Sequence, residues 1–416
     1  MVMNKLFAPK RALAQPPALN PNHRWIILAI GAVAQASFAA AFAGLPVTGV
    51  LMRGVYQMNT AQLGFVMGCM YLGITFSELL WGMLTDLWGD RRILLAGLTL
   101  TGAALMVLAL CVVPHDGHIP HYLVLGGGLV LVGVMGGSVN SSSGRAVMGW
   151  FNDGRRGLAM SIRQTAVPVG GAIGAALLPW LSTRYGFRAV FGVPSLLCFA
   201  SALLAWRWLH EPGQARGPGS CVQFSLGQSP LARLDMWRVA IASALLTAPQ
   251  LAVLTFGGVF LHDHKAASLA TIAGVIIVVQ VVGSIARIYA GRRSDKGMSR
   301  RALVRGIGML AATACACLAL LADGALVLVI VLICIIGVAA NAWHGVAYTE
   351  IAVMAGAERA GTALGLIGMT IFAAAFLTPT LIPVVLGAGS WGLVWGLISL
   401  TTLAAVVIAP RPEPHG

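Results

Sequence analysis

Between residues 25 and 409 the chain alternates apolar runs about twenty residues long with short polar breaks. A helix that crosses the hydrocarbon of a bilayer needs roughly 20 apolar residues. On that pattern twelve spans are predicted, at 25–47, 62–84, 92–113, 120–149, 158–181, 188–208, 237–261, 268–291, 303–321, 325–349, 361–385 and 390–409. The expected fold class is therefore an all-α membrane protein with twelve transmembrane helices. The first 24 residues carry Lys5, Lys10, Arg11 and several prolines but no apolar core. They read as a short tail rather than a cleaved signal.

Composition sharpens this picture. Of 416 residues 58% are apolar and only 10% charged, and mean hydropathy is +0.85, which removes ordinary soluble domains from consideration. The 51 glycines would weaken soluble helices, but small residues between membrane helices let backbones approach closely. Of the 27 lysines and arginines, 20 fall on tails and loops of the side that holds the amino terminus, four (Arg53, Arg184, Arg188, Lys265) on the other, and three inside spans. By the positive-inside rule both termini face the cytoplasm of an inner membrane. Topology thus accounts for the net charge of +14, and no nucleic-acid partner is needed. Seven cysteines form no C-x-x-C and no ligand cluster, so they read as buried small apolar residues, with Cys221 a free thiol in the central loop. No metal and no cofactor is expected.

The chain repeats itself. GMLTDLWGDRR at 82–92 and GRRSDKGMSRR at 291–301 align Gly82 with Gly291, Asp86 with Asp295, Arg91 with Arg300 and Arg92 with Arg301, each 209 residues apart. A second block aligns Gly133 with Gly337, Gly157 with Gly361, Ala159 with Ala363 and Pro179 with Pro383, each 204 apart. Two independent matches near half the chain length imply one six-span unit present twice. The predicted organisation is a cytoplasmic tail (1–24), a first six-helix bundle (25–208), a cytoplasmic linker (209–236), a second bundle (237–409) and a tail (410–416). The run HEPGQARGPGS has the composition of a flexible linker.

The first of these repeated blocks resembles the signature of the major facilitator superfamily, G-x-L-a-D-r-x-G-r-r after span 2, and the second is its weaker copy. The resemblance covers the whole chain and implies two pseudo-symmetric six-helix bundles and transport by alternating access. It also implies that Asp86 and Asp295 latch the cytoplasmic side, where a carboxylate meets a helix N-terminus or an arginine. Arg91, Arg92, Arg300 and Arg301 then anchor neighbouring helix ends, or serve only as positive-inside residues.

A few ionisable residues lie deep in predicted spans, where each is a candidate functional group: Glu78, Arg145, Arg163 and Arg287. Arg287 precedes Asp295 by eight residues and so sits roughly 12 Å into the membrane, with Glu78 at the equivalent place in the first half. The repeat sets an acid in span 2 opposite a base in span 8. Arg163 lies about 10 Å inside span 5, and in the superfamily fold spans 5 and 8 face each other across the bundle interface. There two guanidiniums repel unless an anion lies between them. Arg145 is near the end of span 4, suited to snorkelling or to pairing with Asp86. Glu78 is the proton-coupling candidate, with a plain structural role as its alternative; the alternatives to substrate contact are a structural ion pair for Arg163 and a structural pair with Glu78 for Arg287.

Arg287 in GSIARIYAGRRSD also resembles the span 8 arginine of organic-anion carriers, G-R-x-x-x-G-x-x-S-D, although Ala286 replaces the usual glycine. MGWFNDGRRGLAMSI at 148–162 resembles the turn between spans 4 and 5 of carriers of anions and small solutes. The exporter signature G-P-x-x-G-G is broken by Val167 before Pro168. The family fold places spans 1, 4, 7 and 10 around a central cavity, which makes Gln35, Asn140, Gln250, Asn341, Trp343, His344 and Tyr348 further substrate-binding candidates; the aromatic ones and His344 serve equally as helix contacts.

The leading expectation is a monomeric secondary transporter for proton-coupled uptake or exchange of a small organic anion, with a proton or counter-ion and the lipid bilayer as its other partners. Drug or metabolite export is the nearest alternative. An embedded enzyme would need a nucleophile with its base or clustered metal ligands, and a sensor would need an output domain; neither is evident.

Overall fold

The computed structural model describes residues 22–115, 117–152, 154–210 and 229–411. The expected tails and most of the linker, with Lys5, Lys10, Arg11 and Cys221, lie outside the described residues. Among those described, all regular structure is helical apart from one isolated bridge between His115 and His118.

Eleven helical stretches are long and apolar enough to cross a membrane: His23–Val55, Thr60–Trp88, Asp90–Cys111, Tyr122–Trp150, Arg156–Trp208, Leu234–His264, Leu269–Asp295, Arg300–Leu320, Leu326–Ala355, Ala360–Ala388 and Trp391–Ile408. One of them is two spans. Arg156–Trp208 has 53 residues, about 80 Å of helix at 1.5 Å per residue, against a hydrocarbon core of about 30 Å. It breaks at Gly186 (φ 72°, ψ −175°). Its two legs then lie side by side against span 1: Gly170 packs on Ala36, while the Ser201 hydroxyl is 2.7 Å from that of Ser37. The hairpin brings the number of crossings to twelve.

Local chemistry sets where these helices begin. Asn59 Oδ1 accepts from Gln62 N at 2.8 Å and Gln62 Oε1 accepts from Asn59 N at 2.9 Å, a reciprocal cap for span 2. Ser268, Ser299 and Ser390 cap spans 8, 9 and 12 in the same sense. Several spans are irregular midway. Span 1 passes through a 3-10 turn at Leu45–Thr48, span 7 through π-helical turns at Ala252–Phe256 and Phe260–His264, and spans 4 and 10 break at Gly137 and Trp343. The cysteine reading needs one correction. Cys69, Cys198 and Cys315 are buried, but Cys111, the last residue of span 3, is exposed.

The cores follow the duplication. One buried cluster draws only on residues from Ile27 to Leu209, another only on residues from Ala248 to Ile398, and a third joins Met148 and Met160 to Met236–Ala409 across the two halves. Between bundles, span 2 meets span 11 and span 8 meets span 5 backbone to backbone. A Cβ on Gly82 would strike the Gly361 carbonyl oxygen, and one on Gly157 would lie 2.6 Å from that of Gly291. The repeated glycines therefore exchange partners about a pseudo-two-fold axis, 82 with 361 and 291 with 157.

The hairpin at Gly186 supplies a test. A Cβ there meets nothing within 4 Å, so Gly186→Ala carries only the backbone strain of a region almost reserved for glycine, about 1–3 kcal/mol. Thermal unfolding in detergent should report that loss. Gly192→Ala, equally uncrowded but without a positive φ, should be neutral or slightly stabilising; equal behaviour of the two variants would show that Gly186 does not enforce the turn.

Candidate functional site

The middle of the bundle interface holds Glu78, Arg163 and Arg287, exposed by 0%, 0% and 2%. Each guanidinium is bound to an asparagine near the break in span 4 or span 10. Arg163 Nη2 donates to the Asn140 carbonyl at 2.6 Å, to Asn140 Oδ1 at 3.1 Å and to Gln35 Oε1 at 3.0 Å, while its Nε reaches Ser143 Oγ at 3.0 Å. Arg287 Nε donates to the Asn341 carbonyl at 2.8 Å and Nη2 to Asn341 Oδ1 at 3.0 Å. Gln250 Nε2 also donates to Asn341 Oδ1, at 3.0 Å, and Asn341 Nδ2 returns to the Gly337 carbonyl at 2.9 Å.

Several contacts cross between bundles here, among them a hydrogen bond between Tyr348 and Gln164. Arg287 Nη1 donates to the carbonyl of Gln164 at 2.5 Å, which sets it one residue along span 5 from Arg163. Asn140 Nδ2 donates to Tyr348 Oη at 3.2 Å and also to Glu78 Oε1. Gln35, Glu78, Asn140, Arg163, Gln164, Gln250, Arg287, Asn341 and Tyr348 are thus joined in one polar network drawn from spans 1, 2, 4, 5, 7, 8 and 10. Gln164 was not singled out from sequence; an amide beside an intramembrane arginine was its only signal.

The alternative reading of Arg287, a structural pair with Glu78, is not formed among the described residues. Glu78 bonds to Asn140 and interacts with Arg163 across that amide, and no ion pair joins it to Arg287 among the described residues. The reason is the duplication itself, which puts positions 78 and 287 at related places, each against its own bundle's broken helix: Gly137 packs on Glu78, and Asn341 on Gly283 one turn from Arg287. Trp343 is fully buried in the apolar cluster that joins the two halves, stacked on His344 with ring centroids 3.8 Å apart. Neither its Nε1 nor His344 Nδ1 has a hydrogen-bond partner.

On the face where the loops between spans 2 and 3 and between spans 8 and 9 lie, two carboxylates join the bundles. Asp86 accepts from Gly361 N at 2.8 Å and from Thr362 N and Oγ1 at 2.7 and 2.6 Å. Asp295 accepts from Gly157 N and Leu158 N, both at 2.8 Å. The first N–H groups of a helix have no partner within it, so each carboxylate satisfies the free donors, and meets the positive dipole end, of a helix in the other bundle. Arg145 braces the first contact, its Nε 3.1 Å from Asp86 Oδ1 and its Nη1 2.7 Å from Asp90 Oδ1. Arg91 Nη2 donates to the Trp206 carbonyl at 2.6 Å at the end of span 6, whereas Arg92 is exposed. Arg301 and Arg300 lie 2.6 and 3.7 Å from Glu350. Glu350 was missed in the sequence because it sits one residue beyond the predicted end of span 10.

Comparison with known proteins agrees with this architecture. The family profile described as Major Facilitator Superfamily matches residues 25–379, and the chain belongs to that family. An uncharacterised MFS-type transporter of Mycobacterium tuberculosis (strain H37Rv) is 34% identical over 311 residues, 73% of this chain and 66% of that protein. The match therefore spans just under two thirds of the relative's length. Among solved structures, the proton:xylose symporter XylE bound to 6-bromo-6-deoxy-D-glucose superposes with a TM-score of 0.75 at 15% identity, covering 94% of this chain and 97% of its own. The human organic anion transporter MFSD10 (TETRAN) gives 0.73 at 16% identity, covering 95% and 100%. At such identities these two similarities bear on the fold alone.

The carboxylate contacts between bundles can be tested directly. An asparagine at 86 or 295 keeps one acceptor oxygen and turns an NH2 toward the other donor, at a cost of about 1–3 kcal/mol for each donor left unpaired. Ser294 is buried at this seam. In a background with the native cysteines replaced by alanine, Ser294→Cys should react with a water-soluble thiol reagent roughly 5- to 150-fold faster when Asp86→Asn and Asp295→Asn are combined. Unchanged reactivity would mean that these carboxylates do not hold the seam closed.

Proposed function

We propose that the chain is a secondary active transporter that carries a small organic anion by alternating access, with a proton as the coupling ion. In this reading it lies in the inner membrane as a monomer with both termini cytoplasmic, as the distribution of lysine and arginine favours. The observation that carries the proposal is the pair of buried arginines, Arg163 and Arg287, drawn from different bundles and accompanied by a single interior carboxylate, Glu78. Two guanidiniums remain ionised in any protein environment. With one carboxylate they leave the low-dielectric interior one positive charge in excess, which a bound anion neutralises. A planar carboxylate also fits the guanidinium fork in bidentate fashion.

The mechanism follows from which contacts are shared. Asp86 and Asp295 hold the cytoplasmic side shut through helix N-termini of the opposite bundle. Those bonds can be exchanged for bonds to water, so the side can open without an unpaired charge being left behind. An anion gripped by Arg163 on one bundle and Arg287 on the other draws the bundles together around it. Gln35, Asn140, Gln250, Asn341 and Tyr348 then position the guanidiniums and the solute, and Glu78 carries the proton. MFSD10, named as an organic anion transporter, and XylE, named as a proton:xylose symporter, support the reading by showing that this fold serves both kinds of transport.

Arg287→Ala and Arg163→Ala each remove a charge-assisted contact of about 1.5–3 kcal/mol, so uptake of labelled carboxylates into proteoliposomes should fall by roughly 10- to 150-fold. Arg287→Lys should recover only part of it, because a point charge does not reproduce the fork. Uptake and anion-induced thermal stabilisation that both survive the two alanine variants would refute the anion site.

A further inference from the structure

Among the described residues the interior network has one carboxyl group, Glu78. Glu78 Oε1 accepts the amide of Asn140, and Asn140 Oδ1 accepts from Arg163 Nη2 at 3.1 Å, so one amide separates carboxylate from guanidinium. Glu78 Oε2 meets no donor, and Gly368 of span 11 closes over both oxygens so tightly that a Cβ there would collide with them. The charged or titratable groups facing Glu78 are Arg163 from span 5 and Tyr348 from span 10; spans 4 and 11 contribute the neutral Asn140, Gly137, Gly365 and Gly368. Among the described residues Arg287 has no acidic partner: its donors end on the Asn341 and Gln164 oxygens, with His344 beside it.

We propose that Glu78 sets the charge of the anion carried: the site takes a small dicarboxylate together with one proton on Glu78, and a monocarboxylate without a proton. The inference rests on the anion-transport reading above. With Glu78 ionised, one guanidinium charge is matched inside the protein and a monocarboxylate matches the other, so the loaded interior is neutral. A dianion in the same state leaves one uncompensated negative charge in low dielectric, which is costly. A proton taken from water onto Glu78 Oε2 forms an O–H bond on the oxygen that lacks a donor, frees Arg163 from its internal counter-charge and offers two guanidiniums to two carboxylates. The loaded interior is again neutral, and the proton returns to water on the other side when the dicarboxylate leaves.

The test uses the full chain in proteoliposomes with a trapped pH indicator, and radiolabelled succinate and lactate as probes. Succinate entry should acidify the lumen by one proton per anion, whereas lactate entry should not. In Glu78→Gln the succinate uptake that remains should proceed without lumen acidification and without response to an imposed pH gradient. Binding to the unaltered protein decides the matter independently of how that variant folds. Above the second ionisation of succinate, its affinity should strengthen by up to about tenfold per unit fall in pH, with lactate affinity flat. Equal proton counts for the two anions, a flat succinate profile, or proton-coupled succinate uptake persisting in Glu78→Gln overturns this inference while leaving anion transport standing. A carrier that neither moves nor is stabilised by either anion overturns the anion reading itself.

Discussion

Everything at the centre of this molecule answers to the cost of keeping ionised groups where water does not reach. A buried guanidinium is tolerable only if its donors end on oxygen, and in a helical membrane protein the backbone carbonyls are already occupied within the helices. Spans 4 and 10 break at Gly137 and Trp343, and next to each break an asparagine offers both its carbonyl and its side-chain oxygen to an arginine. Asparagine suits this work because its amide is neutral and two-sided. At Asn140 the oxygen receives Arg163 while the nitrogen reaches Glu78 and Tyr348. A leucine there would leave Glu78 Oε1 without its donor, while Arg163 would keep Gln35, Ser143 and the backbone carbonyl.

The seam between bundles obeys a different rule. Apolar packing within membrane helices gains nothing over contact with lipid tails, so close backbone approach and polar bonds carry the association. Gly82 with Gly361 and Gly157 with Gly291 allow the approach, and Asp86 and Asp295 supply the bonds. Each of those bonds has a water-made equivalent on a face that can be hydrated, so its net strength is modest. The apolar clusters that lie within a single bundle are left intact when the seam parts. The seam is therefore where the molecule can part at least cost.

The fold was largely legible in the sequence because membrane helices announce themselves through length and hydropathy, and because Asp86 and Asp295 recur at a fixed offset. Legibility failed where backbone geometry intervenes. Gly186 folds one 53-residue helical stretch into two crossings, yet its glycine is one of 51. At the site, periodicity placed Arg163 and Arg287 at similar depth, but depth alone says nothing of which neighbour a side chain turns toward. The amides of Asn140 and Asn341 supply those neighbours, Asn140 for Glu78 and Arg163 and Asn341 for Arg287. Gln164 and Glu350 were overlooked for a related reason, since the importance of Gln164 lies in its carbonyl and that of Glu350 in a turn beyond the apolar run.

The two halves diverge where the centre required it. The offset of 204 residues that relates Gly133 to Gly337 also relates Gly137 to Asn341 and Asn140 to His344. In the first bundle the small residue lies against Glu78, leaving its carboxylate to reach Asn140 one turn further on. In the second the asparagine has moved to the nearer position, where it receives Arg287 directly. An acid and a base at equivalent places thus each found an amide by exchanging which turn of the broken helix supplies it. The carboxylates Asp86 and Asp295 kept the symmetry of the duplication, each bound to a helix N-terminus of the other bundle. The interior lost it, with an acid at 78 where the second half has a base at 287.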